Sequence, residues 1–158
     1  MSTQKQPLLE DTNENLFWWY NFGLGDFMND AEEEGYSLDY LDWNSLDELE
    51  RYVKEKEISH VKDKPEEISR FVGAYTFLGF AINHKYKSEW MLIEDGSVHN
   101  GLFGIHKLKR SQPDFYIVPR QILTSLILGR VPEGLKEFVR WKVEDDFIST
   151  VANTPIEK

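Results

Sequence analysis

The stretch PEEISRFVGAYTFLGFAI, residues 65 to 82, constrains the fold more than any other part of the chain. Pro65 suits the first turn of a helix, where its missing N–H goes unneeded, and Glu66 and Glu67 complement the positive end of the helix dipole. Ile68, Phe71, Val72, Tyr75, Leu78 and Ile82 then fall on one helical face, while Phe77, Phe80 and Ala81 occupy much of the opposite one. A helix that is apolar nearly all round must be covered on every side, so it is expected at the centre of the molecule. Its nearly apolar part, residues 71 to 82, is too short to cross a bilayer.

Other helices should surround it. From Leu16, a helical stripe of Phe17, Tyr20, Leu24, Phe27, Met28 and Ala31 ends at Gly35, a residue suited to the left-handed position that closes a helix. Trp18, Trp19 and Phe22 lie off this stripe, and the interior Gly23 and Gly25 point to close packing or an interruption. Ser45-Leu46-Asp47-Glu48 has the spacing of a capping box and precedes a stripe of Leu46, Leu49 and Val53, with Glu50–Lys54 and Arg51–Glu55 as i,i+4 pairs.

After Lys87 the period changes. SEWMLIED, GLFGIHKL and DFYIV are short apolar segments separated by turn signals, as in an antiparallel meander of about three strands. Pro119 begins a helix closed by Gly129, and Pro132 begins another with Leu135, Phe138 and Val139. The expected fold is α+β, with about five helices around a central buried one and a small antiparallel sheet. A single domain is expected over residues 16–152, with flexible ends expected at 1–15 and 153–158.

Net charge is −10, and all of the excess is in one half: residues 1–70 carry 18 acids against 7 bases, and 71–158 carry 10 against 11. Such a surface repels nucleic-acid backbones and attracts basic proteins. The absence of cysteine excludes disulfides and thiolate chemistry. The start, MSTQKQPLLEDTNEN, has no apolar core of a signal peptide, which makes a cytoplasmic location the expectation.

The excess concentrates in DFMNDAEEEGYSLDYLDWNSLDELE, residues 26 to 50, with ten carboxylates and no lysine or arginine. Helix electrostatics account for Asp47 and Glu48, in a first turn, and Glu50 has Lys54. Glu32, Glu33 and Glu34 instead occupy a last turn, where negative charge is unfavourable, and Asp39 and Asp42 follow beside Tyr36, Tyr40 and Trp43. Unexplained breaks of a local rule tend to mark function, so these eight residues form the expected partner-binding surface.

Two segments carry a resemblance. Leu38-Asp39-Tyr40 followed by Ser45-Leu46-Asp47-Glu48-Leu49 resembles an "LDY…SLDxL" approach to a capped helix, and Phe77-Leu78-Gly79-Phe80 with Trp90 is similar to a "YLGE…W" helix-to-strand pattern. Leu126, Gly129, Leu135 and Phe138 echo the closing helices. These patterns belong to an uncharacterised family of small acidic bacterial proteins met among candidate immunity proteins. The resemblance implies a protein that binds and inhibits a cognate toxin. Phe80 stands where the pattern has a glutamate, so no role of that glutamate carries over.

No catalytic motif competes with this reading. There is no G-x-S-x-G, Gly23-Leu24-Gly25 lacks the context of a dinucleotide site, and Glu94 and Asp95 would point to opposite faces of a regular strand. His60 and His84 are isolated, and Glu94, Asp95, His99 and His106 have no recognised metal spacing. The expected function is a non-enzymatic protein, without cofactor or metal, that occludes a basic, nuclease-like toxin domain and binds neither nucleic acid nor membrane. One alternative is a small-ligand binder or minor enzyme with a pocket between sheet and central helix, motivated by Trp90, His99 and His106. Another is a structural protein that self-associates through Trp18, Trp19 and Phe22. Either a monomer or a homodimer fits the first reading.

Overall fold

In a computed structural model, described for residues 12–61, 63–97, 99–109 and 112–145, the central helix forms over Pro65–Tyr86. Five helical rods and a two-stranded antiparallel sheet make up an α+β fold. The first rod, α1, joins Asn13–Trp18, a π-helical turn Trp19–Gly23, and Leu24–Glu33. Then follow α2 (Ser45–Glu55), α3 (Pro65–Tyr86), β1 (Glu89–Leu92), β2 (Phe103–His106), α4 (Pro119–Ile127) and α5 (Leu135–Arg140), which continues as a π-helical turn over Trp141–Asp145. Among these helices none is long and apolar enough to cross a membrane.

All residues of α3 from Phe71 to Ile82 are buried, as its two-faced apolar pattern requires. Phe77, Leu78, Ala74 and Ile82 are fully enclosed. Glycines let neighbouring rings approach the helix axis: Phe27 of α1 lies where a Cβ on Gly73 would fall, 2.6 Å away, and the Trp90 indole of β1 covers Gly79 even more closely. On the remaining sides α3 packs against α2 and α4. The helix ends at Lys87, whose φ of +55° takes the left-handed cap.

The π turn changes the expected face of α1. Leu24 N–H bonds to the carbonyl of Trp19, five residues back instead of four, so the turn holds one extra residue. The core stripe of Leu24, Phe27 and Ala31 therefore continues to Trp19, which is 4% exposed, and not to Tyr20. Phe17 and Tyr20, expected inside, are exposed along with Phe22, while Trp18 is half-buried. Gly23 sits so close to the rings of Trp18 and Trp19 that a Cβ would overlap both. Thr12 caps this helix through its hydroxyl, which accepts the Asn15 N–H at 3.0 Å. The helix thus begins before residue 16, and residues 1–11 and 153–158 of the expected flexible ends lie outside the described residues.

The antiparallel pair aligns Trp90 with Ile105 and Leu92 with Phe103. The third expected strand contributes only one bridge: Ile117 exchanges two backbone bonds with Ile105, at 2.8 and 3.1 Å. Pro119, two residues on, has no N–H to extend the ladder and opens α4 instead. Gly129, at φ +76°, closes α4 as expected. The last helix starts at Leu135 instead of Pro132, because the Leu135 N–H donates to Glu50 Oε1 at 2.6 Å. A long-range carboxylate, not the proline, sets that end.

The capping box at Ser45 is replaced by a different use of the same side chains. Asn44 is the cap residue, Ser45 Oγ accepts the Asp39 N–H at 3.0 Å, and Glu48 Oε1 accepts the Ser37 N–H at 3.2 Å. Both tie the incoming loop to α2.

Two glycines give opposite tests of this packing. Gly79→Ala drives a methyl into the Trp90 indole and should destabilise the protein by about 1–3 kcal/mol. Gly25→Ala adds a methyl with nothing within 4 Å in an exposed helical position and should stabilise it by about 0.5–1 kcal/mol. Urea denaturation of the two variants measures both signs.

Candidate functional site

The acidic segment begins on the last turns of α1. Gly35, at φ +96°, lets Gly35 N–H reach the Glu32 carbonyl and Tyr36 N–H reach the Ala31 carbonyl, so the chain turns sharply beneath the helix. Tyr36 is consequently buried, at 5% exposure. Its hydroxyl donates to Glu55 Oε1 at 2.8 Å, and Arg51 stacks 4.4 Å from its ring centre. The bond to the Glu55 carboxylate, then burial, pushes the Tyr36 pKa up. Tyr36 is therefore packed as a plug between the turn and α2, because the sharp turn drives it inward.

The same guanidinium resolves part of the charge problem. Arg51 Nη2 donates to the Gly35 carbonyl at 2.8 Å and to Glu48 at 2.9 Å, placing a cation at the negative end of α1. Glu34 is also matched, by Lys56 at 3.2 Å and Arg70 at 3.7 Å. Asp47 meets Lys136 at 3.1 Å, and Glu50 meets Lys54 at 3.9 Å. Asp26, Asp30, Glu32, Glu33, Asp39 and Asp42 remain exposed, with no cation at ion-pair distance among the described residues.

Asp39 and Asp42 shape the loop that follows. Asp39 Oδ1 accepts the Leu41 N–H and Asp42 Oδ1 accepts the Asn44 N–H, each at 3.0 Å. These are Asx turns, legible in principle from aspartates at turn positions. Between them Tyr40 is half-buried against Phe80, with ring centres 6.0 Å apart, and Leu41 is 54% exposed. Burial, then the neighbouring Tyr20 and Asp39, pushes the Tyr40 pKa up. Tyr20 rests on the same Phe80 ring at 5.5 Å and is 59% exposed. Trp43 meets Tyr86 edge-on at 5.8 Å, with Lys85 at the same distance from its ring. Thus Phe80 is a ring platform for both Tyr20 and Tyr40.

The eight expected residues do not form one patch. Tyr40 and Trp43 lie against Phe80 and Tyr86, whereas Glu34 pairs with Arg70, about 15 Å earlier along α3 at 1.5 Å per residue. Glu33 and Glu34 instead join Asp26 and Asp30 in a slot of about 380 Å³ between α1 and α3, lined also by Trp18, Trp19 and Tyr52. Glu32 is not among its lining residues. Sequence reading treated the carboxylates as one run and missed this slot, although the spacing 26, 30, 33, 34 places them on one side of a helix.

Tyr52 is the deepest polar group there. It is 4% exposed, and its pKa is pushed up to about 12 by burial, partly countered by Arg70 and reinforced by Glu34 and Asp30.

The strand-region residues serve elsewhere. The Trp90 indole packs between Phe80, 5.3 Å away, and Phe103, 5.7 Å away, and His106 faces Glu89 at 4.0 Å. His99 Nδ1 lies 3.4 Å from the Tyr116 hydroxyl, which donates to Asp95 Oδ2 at 3.2 Å. Hydrogen bonds from Ser97, then one from Tyr116, hold the Asp95 carboxyl below its usual range. This chain staples the β1–β2 loop to the segment before α4. His99 and Tyr116 also line a cavity of about 470 Å³ beside α4, to which neither Trp90 nor His106 contributes. Among the described residues no three of His, Asp or Glu are placed to hold a metal ion.

No protein-family model matches the chain, and no curated protein or solved structure is significantly similar to it.

The Tyr52 environment has a pH signature. With a folded pKa near 12 against an ordinary value of 10.0, the native state holds this proton where the unfolded chain has lost it. Its contribution to stability is full below pH 10 and falls as pH rises toward 12. Urea midpoints measured from pH 9 upward should therefore drop less steeply in Tyr52→Phe than in the parent.

Proposed function

We propose that this chain is a non-enzymatic binding protein that docks a basic partner protein, acting as a toxin-immunity protein that occludes a nuclease-like domain. The observation that carries the reading is the set of six exposed carboxylates, Asp26, Asp30, Glu32, Glu33, Asp39 and Asp42, left without ion pairs among the described residues while the other four of the block are matched. The motif resemblance in residues 38–49 and 77–90 points the same way.

The docking surface differs from the one expected from sequence. In this reading Tyr36 is buried and Glu34 is neutralised internally, whereas the exposed Tyr20 and Leu41 join the half-buried Tyr40 as apolar area beside Asp39 and Asp42. An apolar centre with a charged rim is the anatomy of a protein interface. In this reading the carboxylates speed encounter and Tyr20, Tyr40 and Leu41 supply the area that slows dissociation. A cleft built to hold a nucleic-acid backbone is basic for its own substrate, so a polyanionic protein face complements it.

The combined substitution Glu32→Gln, Glu33→Gln, Asp39→Asn and Asp42→Asn keeps the turn geometry and removes four charges. Stopped-flow association with a basic nuclease domain that binds this chain should slow by about tenfold at low salt and lose most of its ionic-strength dependence. Tyr40→Ala should act mainly on dissociation. Unchanged association kinetics in the four-charge variant would eliminate the electrostatic docking role.

A further inference from the structure

The slot between α1 and α3 combines features that the rest of the acidic surface lacks. It is concave, its rim carries Asp26, Asp30, Glu33 and Glu34, and the indoles of Trp18 and Trp19 line its wall. Tyr52 closes it from α2: the side chain is more than nine-tenths buried and lines the slot, and its hydroxyl has no hydrogen-bond partner among the described residues. A phenol held in an apolar core with its polar tip left open to a cleft is a group awaiting a donor or acceptor.

The slot already handles one guanidinium. Arg70 lines it and reaches Glu34 Oε2 at 3.7 Å, a loose contact, while Lys56 holds the other oxygen of Glu34 at 3.2 Å. Asp26, Asp30 and Glu33 have no such match among the described residues. Three carboxylates, an unpartnered phenol oxygen and two indoles call for a flat cation with several N–H donors and an apolar stem. Lysine concentrates its charge at one strongly hydrated point, whereas arginine spreads five donors in a plane that stacks on aromatic rings.

We propose that this slot receives an arginine side chain of the basic partner protein, with the guanidinium between Asp26, Asp30 and Glu33, its edge toward the Tyr52 hydroxyl, and its stem against Trp18 and Trp19. The inference rests on the docking reading above and gives it an anchor: one inserted residue that fixes register while the Asp39–Asp42 loop steers encounter. Insertion strengthens each charge-assisted bond by excluding water from the slot.

The probe is N-acetyl-arginine N-methylamide, titrated into the full-length ¹⁵N-labelled protein, with the citrulline analogue as neutral isostere and the lysine analogue as second cation. Saturable shifts in the millimolar range, confined to the Trp18 and Trp19 indole N–H, Gly23 and Ser69, are expected for arginine. Lysine should bind more weakly and citrulline not at all. Asp30→Asn with Glu33→Gln should weaken arginine binding at least about fivefold, and Tyr52→Phe, which preserves the ring, by about two- to fivefold.

Equal shifts with citrulline, shifts that map to residues 39–42 instead, or no saturation would overturn the slot assignment. Concentration-dependent shifts at the slot in the absence of probe would assign it to a second copy of the chain and overturn it as well. These failures are separable from failure of the docking reading. If the slot is wrong, partner association still depends on Asp39 and Asp42. If the docking reading is wrong, the amide still binds the slot, but association with the basic domain is insensitive to charge.

Discussion

Twelve consecutive buried residues on one helix, Phe71 to Ile82, leave the chain little choice but to wrap α3 completely. Each large side chain there is worth about 1.5–3 kcal/mol when withdrawn from water, and none of its faces can be left open. Gly73 and Gly79 decide how the wrapping is done. With no Cβ, they admit the Phe27 ring on one side and the Trp90 indole on the other, which sets α1 and the hairpin at close range. Once α1 lies antiparallel to α3, with Tyr20 on Phe80 and Glu34 at Arg70, the acidic segment is spread along the central helix. Asp26, Asp30 and Glu33 at the slot are then held apart from Asp39 and Asp42 at the loop.

The charges within that segment divide by what they touch. Glu48 and Glu50 act as backbone caps as well as ion-pair partners: Glu48 holds the Ser37 N–H, and Glu50, only 16% exposed at its side chain, holds the Leu135 N–H across the molecule. Arg51 serves Glu48, Glu55, the Tyr36 ring and the Gly35 carbonyl together. These contacts join α1, α2 and α5 and explain why acids are common here without invoking a partner. Exposed ion pairs such as Glu34–Lys56 add little individually, about 0.2–1 kcal/mol; what they do is cancel charge.

Legibility from sequence followed the range of each interaction. The central helix, the left-handed turns at Gly35 and Gly129 and the Leu46–Leu49–Val53 stripe depend on local spacing and were readable. The face of α1 was not, because one extra residue in the π turn exchanges Trp19 for Tyr20, and no period count registers an insertion made to seat Trp18 and Trp19 over Gly23. The start of α5 depends on Glu50, 85 residues earlier, and the reduction of the third strand to one bridge depends on where Pro119 must begin α4. For the site, the uncompensated charge was legible, whereas the burial of Tyr36 and the grouping of Asp26, Asp30 and Glu33 with Tyr52 require the chain to be folded.

Asp39 and Asp42 show where a folding explanation ends. Each supplies one oxygen to an Asx turn, and asparagine carries the same oxygen in the same place. The turns therefore account for the shape of these side chains but not for their charge, and the mutual proximity of like charges in such a segment works against the compact state. Glu32 and Glu33 lie in the last turn of a helix whose negative end Arg51 already compensates, so charge there runs against the remaining dipole. A neutral residue at each of these four positions would satisfy every contact the folded chain makes with them. What the charges add is a field directed outward, which repels other copies of the chain and attracts basic surfaces.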